Sequence, residues 1–185
     1  MPRLHVIIAS TRPGRAGLPI GTWFHDAATR HGGFDITLID LGQLNLPLLD
    51  EPAHPRLRTY QHAHTKAWSE SVAAADAFVF VTPEYNYSAP PALLNALDYV
   101  FHEWHYKPVG FVSYGGISGG MRSVQMTKMV VTSLRMMPLP EGVAIPFFAH
   151  QMADGVFKAS ETNEKAATTM LDELVRWTGA LATLR

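Results

Sequence analysis

Leu4 to Ala9 is an apolar run with β-branched members, and it stops at the polar, basic segment Ser10-Thr11-Arg12-Pro13-Gly14-Arg15. Such a run predicts a buried strand of the parallel-sheet type. The spacing then changes. From Gly17 to His31, Ile20, Trp23, Phe24 and Ala27 recur at three-to-four-residue intervals, predicting a helix stopped by Gly32-Gly33. Phe34 to Leu41 reads as a second strand, and the proline-bearing stretch Leu44 to Arg58 as a surface connection. Thr59 to Ala75 is expected to be helical, ahead of Ala77-Phe78-Val79-Phe80-Val81-Thr82, the clearest central strand. Pro91 to His102 reads as a helix with proline in its first turn. A fourth strand over Val109–Tyr114, a helix over Met121–Met136 and a short fifth strand around Val143–Phe147 follow. A polar stretch then leads to a last helix, Asn163–Leu184, with Met170, Leu174, Trp177 and Leu181 along one face.

Strands alternate with helices throughout, which implies right-handed crossovers and a doubly wound parallel α/β sheet covered on both faces. Five strands fit the order 2-1-3-4-5. Ligands of such sheets bind outside the carboxyl ends of the strands, which singles out the loops at 10–17, 83–90 and 114–120 in advance. They are also the three most unusual loops of the chain.

Composition narrows what those loops can do. The chain has 185 residues and is 47% apolar, enough for one domain spanning 1–185 with a sizeable core. Lys plus Arg total 15 and Asp plus Glu 16, a net charge of -1, which gives no broad field for nucleic acid or an anionic membrane. There is no cysteine, so thiol nucleophiles, disulfides and Cys-ligated metal centres are excluded. No targeting or membrane-spanning segment is visible, and the cytoplasm is the expected location.

The first loop, Ser10-Thr11-Arg12-Pro13-Gly14-Arg15-Ala16-Gly17, joins a strand to a helix start at Gly17-Leu18-Pro19-Ile20. Free backbone N–H groups, two hydroxyls and two arginines there suit a phosphate. Neither the P-loop pattern nor the dinucleotide fingerprint is present, which favours a monophosphate. The second loop, Pro83-Glu84-Tyr85-Asn86-Tyr87-Ser88-Ala89-Pro90-Pro91, offers two tyrosines and an amide to a flat heteroaromatic ligand.

Together with Leu93, Asn95-Ala96, Asp98 and the third loop Ser113-Tyr114-Gly115-Gly116-Ile117-Ser118-Gly119-Gly120, these segments resemble the NADPH-dependent FMN reductase family. That family is the flavodoxin-like group of quinone, azo-dye and chromate reductases. The resemblance implies FMN bound at all three loops, NADPH or NADH as electron donor, a small-molecule acceptor, and self-association as a dimer or tetramer. Carried onto this sequence, it assigns the phosphate to Ser10, Thr11, Arg12 and Arg15 with Gly17, Leu18, Pro19 and Ile20. Pro83, Glu84, Tyr85, Asn86, Tyr87 and Ser88 would line the isoalloxazine. Ser113, Tyr114, Gly115 and Gly116, with Ser118, Gly119 and Gly120, would face its pyrimidine edge. Where the family often places a further serine near the helix start, this chain has Ala16-Gly17, so Arg15 is the expected substitute contact. The implied reaction is a ping-pong hydride transfer in which the cofactor carries the redox chemistry and no side chain is needed as acid, base or nucleophile.

Three other readings compete. A flavin-bound electron carrier would show a stronger acidic bias than this chain has. Gly116-Ile117-Ser118-Gly119-Gly120 matches the G-x-S-x-G elbow, with Glu141 and His150 as possible triad partners. Nine histidines raise the question of a metal. His62 and His64, two apart on a predicted helix, should point to different sides, and no metal site is assigned.

Overall fold

The computed structural model describes residues 1–185. Five strands form one parallel sheet in the order β2-β1-β3-β4-β5: β1 is Arg3–Ile8, β2 Asp35–Asp40, β3 Ala77–Pro83, β4 Pro108–Tyr114 and β5 Met137–Ile145. The predicted order and strand number are both observed. Consecutive parallel strands are joined by helices, so every strand carboxyl end, and every loop that follows one, lies along the same edge. The crossover from β1 to β2 is made by α1 (Gly17–His31), and the short α2 (Leu41–Leu44) follows β2 directly. Next come α3 (Ala63–Ala74), α4 (Pro91–Asp98), α5 (Met121–Ser133) and the 21-residue α6 (Glu161–Leu181).

Side chains alternate along β3 and divide the core. Phe78 and Phe80 pack with Trp68, Trp104 and Phe111 beneath α3, α4 and α5. Val79 and Val81 join Leu4, Val6, Phe24 and Leu174 beneath α1 and α6. All seven residues of β3 and of β4 are buried. A strand buried on both faces has no polar alternation, which is why these two read as continuous apolar runs.

Differences from expectation have local causes. The fifth strand begins at Met137, not near Val143, and includes Pro138 and Pro140. It is an edge strand, where proline's missing N–H costs no ladder bond on the open side. The helix after β3 ends at Asp98, and His102–Trp104 form a separate 3-10 turn. The polar stretch before α6 holds a hairpin, β6 (Met152–Ala153) and β7 (Val156–Phe157), turned by Asp154-Gly155. Phe157 of that hairpin packs edge-on against Trp23 of α1 at 5.2 Å. Ser160 caps α6 by accepting from the Asn163 N–H, while Asn163 Oδ1 accepts from the Ser160 N–H, a reciprocal capping box. No helix is long and apolar enough to cross a membrane.

Candidate active site

The three singled-out loops meet in one cleft of about 380 Å³ at the carboxyl edge of the sheet. Ser10, Arg12 and Arg15 line it from the first loop, Pro83, Glu84 and Tyr85 from the second, and Tyr114, Gly115 and Gly116 from the third. The other expected site residues lie around this centre rather than in its wall. Thr11 borders a neighbouring hollow with Leu41, Gly42 and Asn95. Leu18 and Pro19 border another beside Trp23, and Ile20 is wholly inside the core. Asn86, Tyr87 and Ser88 form the tip of the second loop. Ser113 is buried and donates to the Gly119 carbonyl at 2.8 Å, which folds Ser118, Gly119 and Gly120 back over the end of β4.

Backbone accounting shows what the cleft lacks. In the first loop the N–H groups of Ser10, Thr11, Arg12, Gly14 and Ala16 have no protein acceptor. Glu84, Asn86 and Tyr87 in the second loop, and Gly116, Ile117 and Ser118 in the third, are likewise free. Most of these residues are exposed, so their N–H groups point to solvent and are open to the acceptor atoms of a ligand.

The hydroxyls of Ser10 and Tyr85 lie 2.7 Å apart and are hydrogen-bonded, either one able to donate. Tyr114 stands beside them because Gly17 has no side chain: a Cβ there would come within 2.7 Å of the Tyr114 Oη. Burial pushes the Tyr114 phenol well above its ordinary range, and nearby Tyr85 adds to the shift. Tyr114 therefore remains a neutral hydroxyl. The Arg12 guanidinium lies 5.9 Å over the Tyr85 ring, and that of Arg15 pairs with Asp40 at the end of β2.

The opposite rim is tied together by Glu84. Its carboxylate accepts from the Ser118 hydroxyl at 2.8 Å, the Arg122 backbone N–H at 3.1 Å and Arg122 Nε at 2.9 Å. Tyr85 and Ser88 pair across a two-residue turn in which Asn86 and Tyr87 both have positive φ, 52° and 68°. Asparagine adopts that conformation readily and tyrosine does not. The strained turn holds the Tyr87 ring outward, where the Arg122 guanidinium lies 4.1 Å from its centre.

These contacts dismantle the hydrolase alternative. The Ser118 hydroxyl is bound to Glu84, His150 stacks on Phe147, and Glu141 borders a separate hollow beside Lys128. No histidine is positioned to take the Ser118 proton.

A family model described as NADPH-dependent FMN reductase matches residues 2–150. The chain belongs to the NADPH-dependent FMN reductase family. Among curated relatives it is 40% identical over 157 residues to an NAD(P)H-dependent FMN reductase of Schizosaccharomyces pombe, covering 84% of this chain and 78% of that one. It is 31% identical over 111 residues to an NADPH:quinone oxidoreductase of Arabidopsis thaliana, covering 55% and 56%. Among solved structures, the flavoenzyme NAD(P)H:(acceptor) oxidoreductase FerB of Paracoccus denitrificans superposes with a TM-score of 0.77 at 21% identity, covering 97% of this chain and 98% of that one. The fold is flavodoxin-like.

The cleft suits the family's cofactor on its own chemistry. Free N–H groups, the hydroxyls of Ser10 and Tyr85, and Arg12 collect at the helix start, where a phosphate monoester is favoured. A Cβ built on Gly116 meets nothing within 4 Å, which leaves the third loop open to a flat ring. Phe148, which follows β5 and stands edge-on to Tyr114 at 5.3 Å, also lines the cleft and was missed from sequence. The carboxyl-edge rule that chose the other loops would have chosen its loop as well.

Away from the cleft, His62 and His64 depart from expectation. Their rings stack at 5.2 Å because His62 is the extended cap before α3 and not part of the helix. Both reach Asp50, His62 at the backbone carbonyl and His64 at the carboxylate.

Proposed function

We propose that this chain is an NAD(P)H-dependent FMN oxidoreductase that reduces a small, flat acceptor such as a quinone, with FMN held in the cleft between the three loops. The convergence of unpaired backbone donors, hydroxyls and arginine charge on one cleft is the observation that carries the reading. FMN would accept a hydride from the nicotinamide and pass two electrons to the acceptor. The protein's part is binding and electrostatics. Ser10, Arg12 and the free N–H groups of the first loop hold the phosphate. N–H groups at Glu84, Asn86 and Tyr87 are available to the polar rim of the ring. Those at Gly116, Ile117 and Ser118 meet its pyrimidine edge and favour negative charge there. No side chain need act as a general acid, because solvent or the acceptor's own hydroxyl can supply the protons.

The small net charge fits diffusible acceptors better than a docked protein partner. Self-association as a dimer or tetramer belongs to the same proposal. Asn95 of α4 is already bound to the proline-bearing connection that follows α2, accepting from the Leu49 N–H and donating to the Pro47 carbonyl, so α4 would present a rigid surface to a second copy. Light scattering of the purified protein decides it.

The test is an absorption spectrum of the purified chain reconstituted with FMN, followed by NAD(P)H oxidation with and without a quinone. Tight binding with quinone-dependent turnover supports the reading. Binding without turnover would make the chain an electron carrier, and no binding would reject FMN.

A further inference from the structure

Arg15 sits in a seat built for its guanidinium. Its Nη2 donates to Asp40 Oδ2, and the pair is largely buried, with the side chains 17% and 6% exposed. Gly42 makes the remaining room: a Cβ there would lie 3.0 Å from Nη2 and 3.1 Å from Cζ of Arg15. Yet Arg15 Nε is buried and has no hydrogen-bond partner. A buried unpaired guanidinium donor is costly, and this one belongs to a residue lining the phosphate end of the cleft.

Asp40 does two jobs with separate oxygens. Oδ1 accepts the Gly42 N–H at 2.9 Å and caps α2, while Oδ2 is committed to Arg15. Capping needs only the first oxygen, so it does not account for the ion pair. We propose that Asp40 is a positioning residue for the flavin phosphate, fixing Arg15 so that the guanidinium N–H groups left exposed in the cleft are preset donors to a phosphate monoester. This rests on the function proposed above and adds a residue outside the three loops.

An Arg fixed at one end by a carboxylate loses little freedom when the other end binds an anion, so its hydrogen bond is made at low entropic cost. A free Arg15 would be a mobile cation that any diffuse counter-ion could screen.

The test compares FMN with riboflavin, which differ only in the phosphate, by titrating apoprotein and following flavin fluorescence. Asp40→Asn keeps the oxygen that caps α2 and turns an amide N–H₂ towards Arg15, releasing the guanidinium. The expected result is a roughly tenfold loss of FMN affinity, the size of one charge-assisted hydrogen bond, with riboflavin affinity unchanged. Arg15→Lys keeps the charge but not the planar fork that serves Asp40 and an anion at once, and should show the same selective loss. The double variant should lose no more than either single one, because both remove one interaction. Asp40→Glu should recover part of the FMN preference.

An unchanged or increased ratio of FMN to riboflavin affinity in Asp40→Asn overturns the proposal, since Asp40 would then be only a cap or a repulsive neighbour. Additive losses in the double variant overturn it too. Riboflavin binding doubles as a check that each variant is folded. If the wild-type chain binds both flavins equally, the phosphate site itself is wrong. If it prefers FMN and only the variants disagree, the proposed function stands and the role of Asp40 falls.

Discussion

The two edges of the sheet handle their polar groups in opposite ways. At the amino edge, the protein pairs most of its buried charged side chains itself. Lys107 Nζ donates to the Val72 and Ala73 carbonyls that end α3, at 2.8 and 3.1 Å. Asp76 accepts from the Arg3 N–H and from Arg185, tying β1 and the chain's end together. Buried Glu103 accepts from the Tyr60 and Ser69 hydroxyls and the Phe101 N–H. At the carboxyl edge, three loops leave donors free and Arg15 Nε is buried without a partner. Internal satisfaction marks a structural edge, and its absence marks a binding one. The amino edge has three exceptions, His5 Nδ1, His31 Nδ1 and His105 Nε2. Burial lowers the pKa of the His5 and His105 rings, which favours their neutral form, and a neutral imidazole nitrogen is cheaper to leave unpaired than a charged one.

The sharpest way to break this comparison is to strip the amino edge of an acceptor. Glu103→Leu strands two hydroxyls and a backbone N–H in a buried site, and about 4 kcal/mol of stability should be lost in urea denaturation. FMN affinity per folded molecule should not follow. A matching loss of flavin binding would mean the two edges are coupled and not divided by role.

His5 gives a second probe through pH. Burial chiefly, with Lys107 and Arg3 adding repulsion, lowers its pKa from 6.5 to about 4. Between those values the unfolded chain binds a proton that the folded chain does not, so stability rises with pH there. It is complete above pH 6.5 and lost as pH falls towards 4, by about 2 kcal/mol allowing for relaxation of the site. His5→Leu should flatten that slope in denaturation curves taken from pH 4 to 7. An unchanged slope would assign the acid sensitivity to other groups.

How far the two edges could be read from sequence also differs. β1, β3 and β4 were legible because burial on both faces leaves a run of mostly apolar residues, broken in β1 by His5, and α1 because Ile20, Phe24 and Ala27 face one side. β5 was read six residues short: Met137 to Gly142 includes two prolines, which only the strand's position at the sheet edge makes tolerable. The β6–β7 hairpin escaped despite its Asp154-Gly155 turn, since strands of two residues carry no periodicity. In the site, loop identity was readable because chain order fixes the edge at which each loop emerges. Partnerships were not. Arg15 meets Asp40 across 25 positions, and Glu84 meets Ser118 across 34, distances at which a local pattern carries no information.

At the carboxyl edge the expected losses are in binding rather than folding. Arg12 is exposed and makes no ion pair, so Arg12→Ala should leave the denaturation midpoint within error. FMN affinity should fall about tenfold while riboflavin affinity holds, about 1.4 kcal/mol assigned to the phosphate. A parallel loss of riboflavin affinity would move Arg12 from the phosphate to the ring, where its approach to Tyr85 would be the contact that matters.

Ser118 combines the two behaviours at the carboxyl edge, a site-loop hydroxyl that does have an internal partner. Glu84 keeps both Arg122 contacts when that hydroxyl is removed, so its charge stays compensated. Ser118→Ala should therefore cost no more than about 1 kcal/mol, the smallest effect in the set. The wild-type chain should also resist labelling by a fluorophosphonate, because a serine donating to a carboxylate, with no imidazole beside it, has no base to take its proton in the attack. A labelled Ser118 would make the third loop a nucleophile's loop after all. A cost well above 1 kcal/mol would show instead that the Glu84 tie between the second and third loops is a folding contact, and the carboxyl edge would then resemble the amino edge more than its free donors suggest.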